Sequence, residues 1–312
     1  KDKYAELGYD ITGISDYFKI NPLSDIPVYE HGAGIFKNHL LVIGADKVLY
    51  KDYLTGQTFH NKQNMITELK TPENLLAITH PDMRNAYSGS DLKYLRGYDL
   101  IEAVNYNYCW SVNLWDTVLS SGNPVFMVMN DDTHDITDPD DFGRVFMFVN
   151  SEKNTGDIIQ ALKLGSAIGV DLKHDKYDTP GMIKKRSDNA PRPSECIITN
   201  DTIKFKFDKV CDTVRLAGQN GMTLKISENT DEIFYPVKPE DTYIRAEIKQ
   251  INSANVYLNP VFKYDDINDH KVQPVINYTV TWFLRAGYIL TFCLIVFIFY
   301  KRKKRRNKKN PF

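Results

Sequence analysis

The sequence predicts an α/β body built on a parallel sheet, open or closed into a barrel, followed by a small antiparallel β-sandwich and one transmembrane helix. Three observations predict it. Up to about residue 170, short apolar runs alternate with stretches of helical spacing, the pattern of strand–helix repeats. From Cys196 to Tyr264 the apolar residues instead recur at every second position, as in half-buried strands. Near the end, Ala286–Tyr300 reads AGYILTFCLIVFIFY without a charge, and KRKKRRNKKN follows at once.

In the first part, the expected buried strands are Ile11–Ser15, Leu40–Ala45, Leu75–Thr79, Leu100–Val104, Val125–Met129 and Val145–Val149. Gln57–Leu69, Ser111–Ser121 and Thr155–Leu164 carry helical spacing between them. The last has Asn154 or Thr155 as its N-cap and Gly165 as its stop. These elements make up the first unit, 1–172. A polar stretch with Pro180, Pro191 and Pro193 serves as a linker over 173–194. Next comes the sandwich over 195–265, where CIITNDTIKFKFDKV, TLKISENTDEIFYPV, TYIRAEIKQI and NVYLNPVF alternate apolar with polar. A polar stalk over 266–278 leads to the transmembrane helix at 279–300 and a basic tail at 301–312.

The uncharged run spans roughly 22 Å as a helix, short of the ~30 Å hydrocarbon core. Extending it back through Trp282, Phe283 and Leu284 reaches spanning length and includes Arg285, whose guanidinium can snorkel to the headgroups. Tyr278, Trp282 and Tyr300 stand where interfacial aromatics belong. The basic tail is then expected in the cytoplasm and the body outside it. That orientation calls for an export signal upstream of Lys1.

A hydrophobic share of 42% with 25% charged residues is that of a folded protein. The net charge of −1 hides an asymmetry, because the tail holds eight basic residues and leaves −9 for everything before it. An acidic body excludes a basic nucleic-acid-binding face, so no specific nucleic-acid binding is expected. Cys109, Cys196, Cys211 and Cys293 form no CxxC, and their spacing leaves a Cys196–Cys211 bridge open.

The chemistry-bearing residues collect at strand ends. Asp16 follows the first strand, His80 the third, and Asp132 and His134 the fifth, while Glu102 lies within the fourth. Loops converge at the carboxyl ends of strands in α/β folds, so these residues predict one shared site. Glu30 in VYEHG and His39 in KNHLLVIGA add a carboxylate and an imidazole. Such groups ligate Zn, Mn or Fe. On spacing alone they fit a metal site and also ordinary structural roles.

These pieces resemble the polymerase and histidinol phosphatase (PHP) superfamily of metal-dependent phosphoesterases. The resemblance lies in GYDITGISD, PVYEHG, HLLVIG, THPD, GYDLIEAVN, NLWDTVLSSGNPVFMVMNDDTHD and FGRVFMFV, within residues 4–170. It is most specific from Leu114 to Asp135, and TYIRAEI with VYLNPVF resembles the domain that often follows. It implies a distorted seven-stranded (βα) barrel of PHP type whose divalent metal ions, two or three of Zn, Mn or Fe, hold a hydroxide that attacks phosphorus. By position it makes Glu30, His39, His80, Asp132 and His134 metal ligands. Asp132, His134 and Arg144 become the catalytic residues, with Arg144 on a phosphate oxygen. Glu102 and Asp116 fall at structural positions, and Tyr106, Tyr108 and Trp110 at the cleft.

The chain departs from the family in two places. It begins in the helix after the family's first strand, so that strand's His-x-His is missing, and Tyr17 stands where the family has His. The expected function is hydrolysis of a phosphorylated small molecule or phosphodiester by a membrane-anchored hydrolase. The alternative is a catalytically degenerate ectodomain that binds a ligand or partner.

Overall fold

The computed structural model describes residues 1–34, 36–53, 57–105, 109–138, 140–173, 177–263 and 278–309. Tyr106, Tyr108 and residues 264–277 of the expected stalk lie outside them. A short helix, α1 (Asp2–Glu6), opens the chain and is followed by a two-stranded ribbon of β1 (Ser15–Asp16) and β2 (Lys19–Ile20). Most of the expected Ile11–Ser15 strand is therefore loop.

The first main sheet has six strands. β3 (Val28–His31) and β4 (Leu40–Ile43) are antiparallel, and after α2 (Phe59–Leu69) the strand β5 (Leu75–Ile78) is antiparallel to β4. Helix α3 (Gly89–Tyr94) then leads to β6 (Leu100–Asn105), parallel to β5. A short antiparallel strand, β7 (Cys109–Trp110), precedes α4 (Val112–Ser120), which crosses over to β8 (Phe126–Asn130), parallel to β6.

The second sheet has eight strands, all antiparallel. Its first members are β9 (Val145–Val149) and, after α5 (Thr155–Lys163), β10 (Ala167–Leu172). Helix α6 (Pro180–Asn189) follows, with Thr179 capping its start and Pro180 in its first turn. The strands β11 (Pro193–Thr199), β12 (Thr202–Ala217), β13 (Thr223–Pro236), β14 (Tyr243–Lys249), β15 (Ala254–Leu258) and β16 (Val261–Phe262) complete it. The last element is α7 (Tyr278–Lys309).

This architecture overturns the expected barrel. Three sheets replace a ring of seven parallel strands, and among the described strands only β5–β6 and β6–β8 pair in parallel. Gly32–His39 is too short for a crossover helix, so β4 turns back on β3. Around α5 the strand–helix–strand pattern deceives in another way, because β9 and β10 end up antiparallel. Among the described residues the strands of 195–263 do not form a sandwich of their own either. Val170 on β10 pairs with Phe146 on one side and Val256 on the other, so one sheet joins 145–172 to 193–262.

Three apolar clusters hold the layers. One face of the first sheet carries Leu40, Val42, Leu76, Ile78 and Ile101 against Met65, Ile66 and Leu69 of α2 and Trp115, Val118 and Leu119 of α4. The other face sets Ile43, Leu75, Ala77 and Leu100 against Ile158 and Leu162 of α5. The second sheet has its own core around Phe205, Val214, Ala246 and Val256. Where the sheets meet, a Cβ on Gly169 would lie 2.0 Å from the Met129 sulfur, so only glycine permits that approach.

Helix α7 is the one helix among the described residues long and apolar enough to cross a membrane, and its apolar span is unburied. Its first turns pack on α2. Thr281 is buried there, and Arg285 donates to the hydroxyl of Tyr53 and to Asn64 Oδ1 at 3.0 Å. Cys196, Cys211 and Cys293 are free thiols, so the 196–211 bridge is not formed.

Candidate metal centre

Three strands deliver the centre. Glu30 stands near the end of β3, His39 immediately precedes β4, and His80 follows β5 within two residues. Because β4 lies between β3 and β5, the three side chains meet across neighbouring strand ends. Glu30 Oε1 is 2.5 Å from His39 Nδ1 and 3.2 Å from His80 Nε2, and the two imidazole nitrogens are 3.2 Å apart. All three residues are buried, and they form a group whose donor atoms can hold a metal ion.

The triangle does not satisfy itself. If both imidazoles present N–H to the shared oxygen, the two N–H groups face each other. If one gives up its proton, its lone pair faces a carboxylate. A cation removes the conflict, because both imidazoles then turn lone pairs inward with the carboxylate. Donors around a tetrahedral ion with ~2.1 Å bonds lie about 3.4 Å apart, so the two edges at His80 already fit and the Glu30–His39 edge must lengthen by about 0.9 Å.

Burial pushes the Glu30 carboxyl up, but the His39 and His80 hydrogen bonds outweigh it and hold the group at about 2. Burial pulls the His80 imidazole down, yet the Glu30 hydrogen bond and the nearby Glu102 charge raise it overall.

A second layer fixes His80 and joins it to Asp132. His80 has φ +27° and donates its backbone N–H to the Glu102 carboxylate. Asn130 Nδ2 donates to Glu102 Oε1 at 2.5 Å. Asn105 Nδ2 bridges Glu102 Oε2 and Asp132 Oδ2, each at 3.1 Å. Burial pushes Glu102 up to about 7 and also raises Asp132. The charge of Glu30 adds to that rise in Asp132, while His80 and His134 oppose it.

Among the ligands expected from the resemblance, the structure thus brings together Glu30, His39 and His80, with Asp132 linked through Asn105. His134 is exposed, and its Nδ1 lies 2.7 Å from the Asp132 carbonyl oxygen. The Arg144 guanidinium is turned to the adjoining loop. Its Nε donates to the Asp140 carbonyl at 2.9 Å, and it pairs with the Asp140 carboxylate.

Neighbouring Asp131 has a structural task. It accepts the backbone N–H groups of Gly143, Arg144 and Val145, tying the end of β8 to the start of β9. Asp116, at a position expected to be structural, forms a buried ion pair with Arg245 at 2.7 Å. Trp110 is exposed.

Sequence reasoning missed Asn105, Asn130 and Lys37. The two Asn residues end β6 and β8, parallel neighbours on which residues at matching heights meet, and that was the available signal. Lys37 lies two positions before His39 and holds its ammonium over the Tyr17 ring, 5.8 Å from its centre. Tyr17 pairs with Glu30 through a β-bridge and packs edge-on against His39 at 5.2 Å.

No protein-family model, curated protein or solved structure matches the chain.

Proposed function

We propose that the chain is a metal-dependent hydrolase of phosphate esters, anchored in a membrane by α7. The carrying observation is the buried Glu30–His39–His80 triangle, whose donors converge within 4.8 Å and compete for one another. The PHP resemblance supports the same reading, since Glu30, His39 and His80 are three of the five ligands it implies, with Asp132 and His134. A divalent ion held there would supply Lewis-acid polarisation of a phosphoryl oxygen.

The chain's own groups do the rest. Glu102 holds the His80 backbone and, through Asn105, aims Asp132 at the same space. Asp132 is the carboxylate that would orient the attacking water, and Lys37 brings a cation over the Tyr17 ring that packs on His39. Arg144 enters as a support of the Asp132 loop through Asp140. The tail charge favours a cytoplasmic tail and a body on the other side.

Purified full-length protein is expected to carry stoichiometric Zn, Mn or Fe by elemental analysis, lost in His39→Ala/His80→Ala. Phosphoester turnover is expected to need that metal and to fall about 10–100-fold or more in Glu30→Gln and Asp132→Ala, loss of outer-shell partners alone being worth about 10–100-fold. Tyr17 at the family's His position favours a second reading, a ligand-binding module. Metal binding without turnover over a broad phosphoester panel would select it.

A further inference from the structure

We infer, on the reading of α7 as a membrane anchor, that the body lies directly against the bilayer that α7 crosses. The surface that touches lipid is the exposed edge of α2 with residues 50–53, seated in the headgroup layer.

The charge pattern of α7 sets the level. The helix is continuous from Tyr278 to Lys309, and residues 286–300 carry no charge. That run spans roughly 22 Å, less than the ~30 Å of a hydrocarbon core. With no length to spare, Ala286 belongs at the hydrocarbon boundary and Arg285 in the headgroup layer. An arginine on a bare helix can sink further and snorkel back to the phosphates. Arg285 is held instead by the body. Its guanidinium donates to the Tyr53 hydroxyl and to Asn64 Oδ1 at 3.0 Å, and lies 5.5 Å from the Tyr53 ring centre. Groups in hydrogen-bond contact share one depth, so Tyr53 and Asn64 stand in the headgroup layer with it.

The surroundings of this joint suit that layer and no deeper one. Asn64 donates to Glu68, one turn further along α2, at 2.6 Å, and Glu68 pairs with Lys51 Nζ at 2.5 Å. Both members of that pair are partly exposed, and hydrocarbon would not tolerate them there. Exposed aromatic rings gather at the same place. Tyr50, beside Lys51 in the chain, is 74% exposed. Tyr278 and Trp282, 61% and 64% exposed, stand four positions apart and so on one face of α7. The Arg285 guanidinium lies 5.3 Å from the Trp282 ring centre. Tyrosine and tryptophan favour the membrane interface, where a ring meets apolar chains and its polar tip stays wet.

The joint also fixes how the body stands. Thr281 is buried against the body, and with the Arg285 bonds it ties the first turns of α7 to α2. Helix α5 packs on the opposite face of the first sheet from α2, clear of the lipid.

The test uses the full chain in phosphatidylcholine vesicles, with the photo-crosslinker p-benzoylphenylalanine replacing Tyr50, Thr67 or Leu164 one at a time. Thr67 is exposed on α2, and Leu164 is exposed at the end of α5. Lipid adducts, read by mass spectrometry after irradiation, are expected at positions 50 and 67 and only at background level at 164. Equal adduct at all three positions, or none at 50 and 67, would overturn the inference. Tyr53→Ala/Asn64→Ala frees Arg285 and keeps its charge. With its fold checked by circular dichroism, this variant is expected to float with the vesicles yet lose most of the adduct at 67. Undiminished adduct would overturn the part given to the joint. Extraction of the wild-type chain by alkaline carbonate would defeat the anchor reading itself. A chain that resists carbonate but gives no adduct at 50 and 67 would defeat only the contact between body and lipid.

Discussion

Two buried ionic clusters invite comparison. In one, Glu30 shares a single oxygen between His39 and His80. In the other, Arg245 on β14 is fully buried and donates to both oxygens of Asp116 on α4 at 2.8 and 2.7 Å. It also pairs with Glu247 at 2.5 Å, and Arg215 takes the second oxygen of Glu247. Tyr243 donates to Asp116 at 2.8 Å. Donors and acceptors match in the second cluster, so it is complete as protein and bolts α4 to the second sheet. In the first, two imidazoles crowd one carboxylate oxygen, with their facing nitrogens 3.2 Å apart. A buried polar cluster that closes on itself holds a fold, and one that cannot close is built for something else.

The sharpest way to break the comparison is Arg245→Met. It strands Asp116 and Glu247 in the interior without a cation, and removing one partner of a buried pair costs about 3–5 kcal/mol. Urea unfolding should show a loss of that size with metal absent. A loss below about 1 kcal/mol would mean that the cluster is wetter than its burial shows and does not join the sheets.

Metal should act on the first cluster alone. Zn or Mn at about 100 times its dissociation constant should add ~2.7 kcal/mol to the stability of the wild-type chain. Glu30→Gln and His39→Ala should abolish that increment, while Glu247→Gln keeps it. Thermal unfolding with metal and with chelator measures all four. An increment that survives in Glu30→Gln would place the ion elsewhere.

Gly221 probes the closed cluster from outside. Its φ is +68°, and a Cβ there would sit 2.6 Å from Asp116 Oδ2. Gly221→Ala should cost about 1–2 kcal/mol from backbone conformation, with a further loss if Asp116 is pushed off Arg245. The melting temperature should fall without any change in metal content.

The two clusters were not equally legible in the sequence. Glu30, His39 and His80 stand at strand ends, and an apolar run with a ligand-type residue at its end can be read locally. Asp116 and Arg245 are 129 positions apart, and nothing local pairs them. The strands at 40–43, 75–78, 100–105, 126–130 and 145–149 were legible for the same local reason. Their directions were not. Whether β9 and β10 run parallel depends on how α5 packs and on β15, far along the chain, which completes their sheet. Repeated strand–helix alternation therefore predicted a parallel sheet, open or closed into a barrel, which the antiparallel pairing of β10 with β9 and β15 forecloses. The role of Arg144 was hidden likewise, since the Asp140 that holds it looks in the sequence like any loop acid.

The smallest expected effect concerns acid, where the clusters should separate by pH. Glu247 is buried, which pushes its carboxyl up, but Arg245 and Arg215 hold it below the usual carboxylate range. A carboxyl with a depressed folded value stabilises fully above its unfolded value, and that stability is lost as pH falls through the folded one. Glu30 behaves alike, with its loss extending down to about pH 2. Asp131 works in the opposite sense, since burial raises it, so its contribution declines as pH rises from the unfolded value through the raised one. Glu247→Gln should therefore flatten the upper part of the acid limb in chelator-treated protein and leave the part near pH 2. Denaturant midpoints measured from pH 6 to pH 2 would show it. An acid limb unchanged in Glu247→Gln would mean that Arg245 is neutralised by Asp116 alone, and the closed cluster would shrink to a single ion pair.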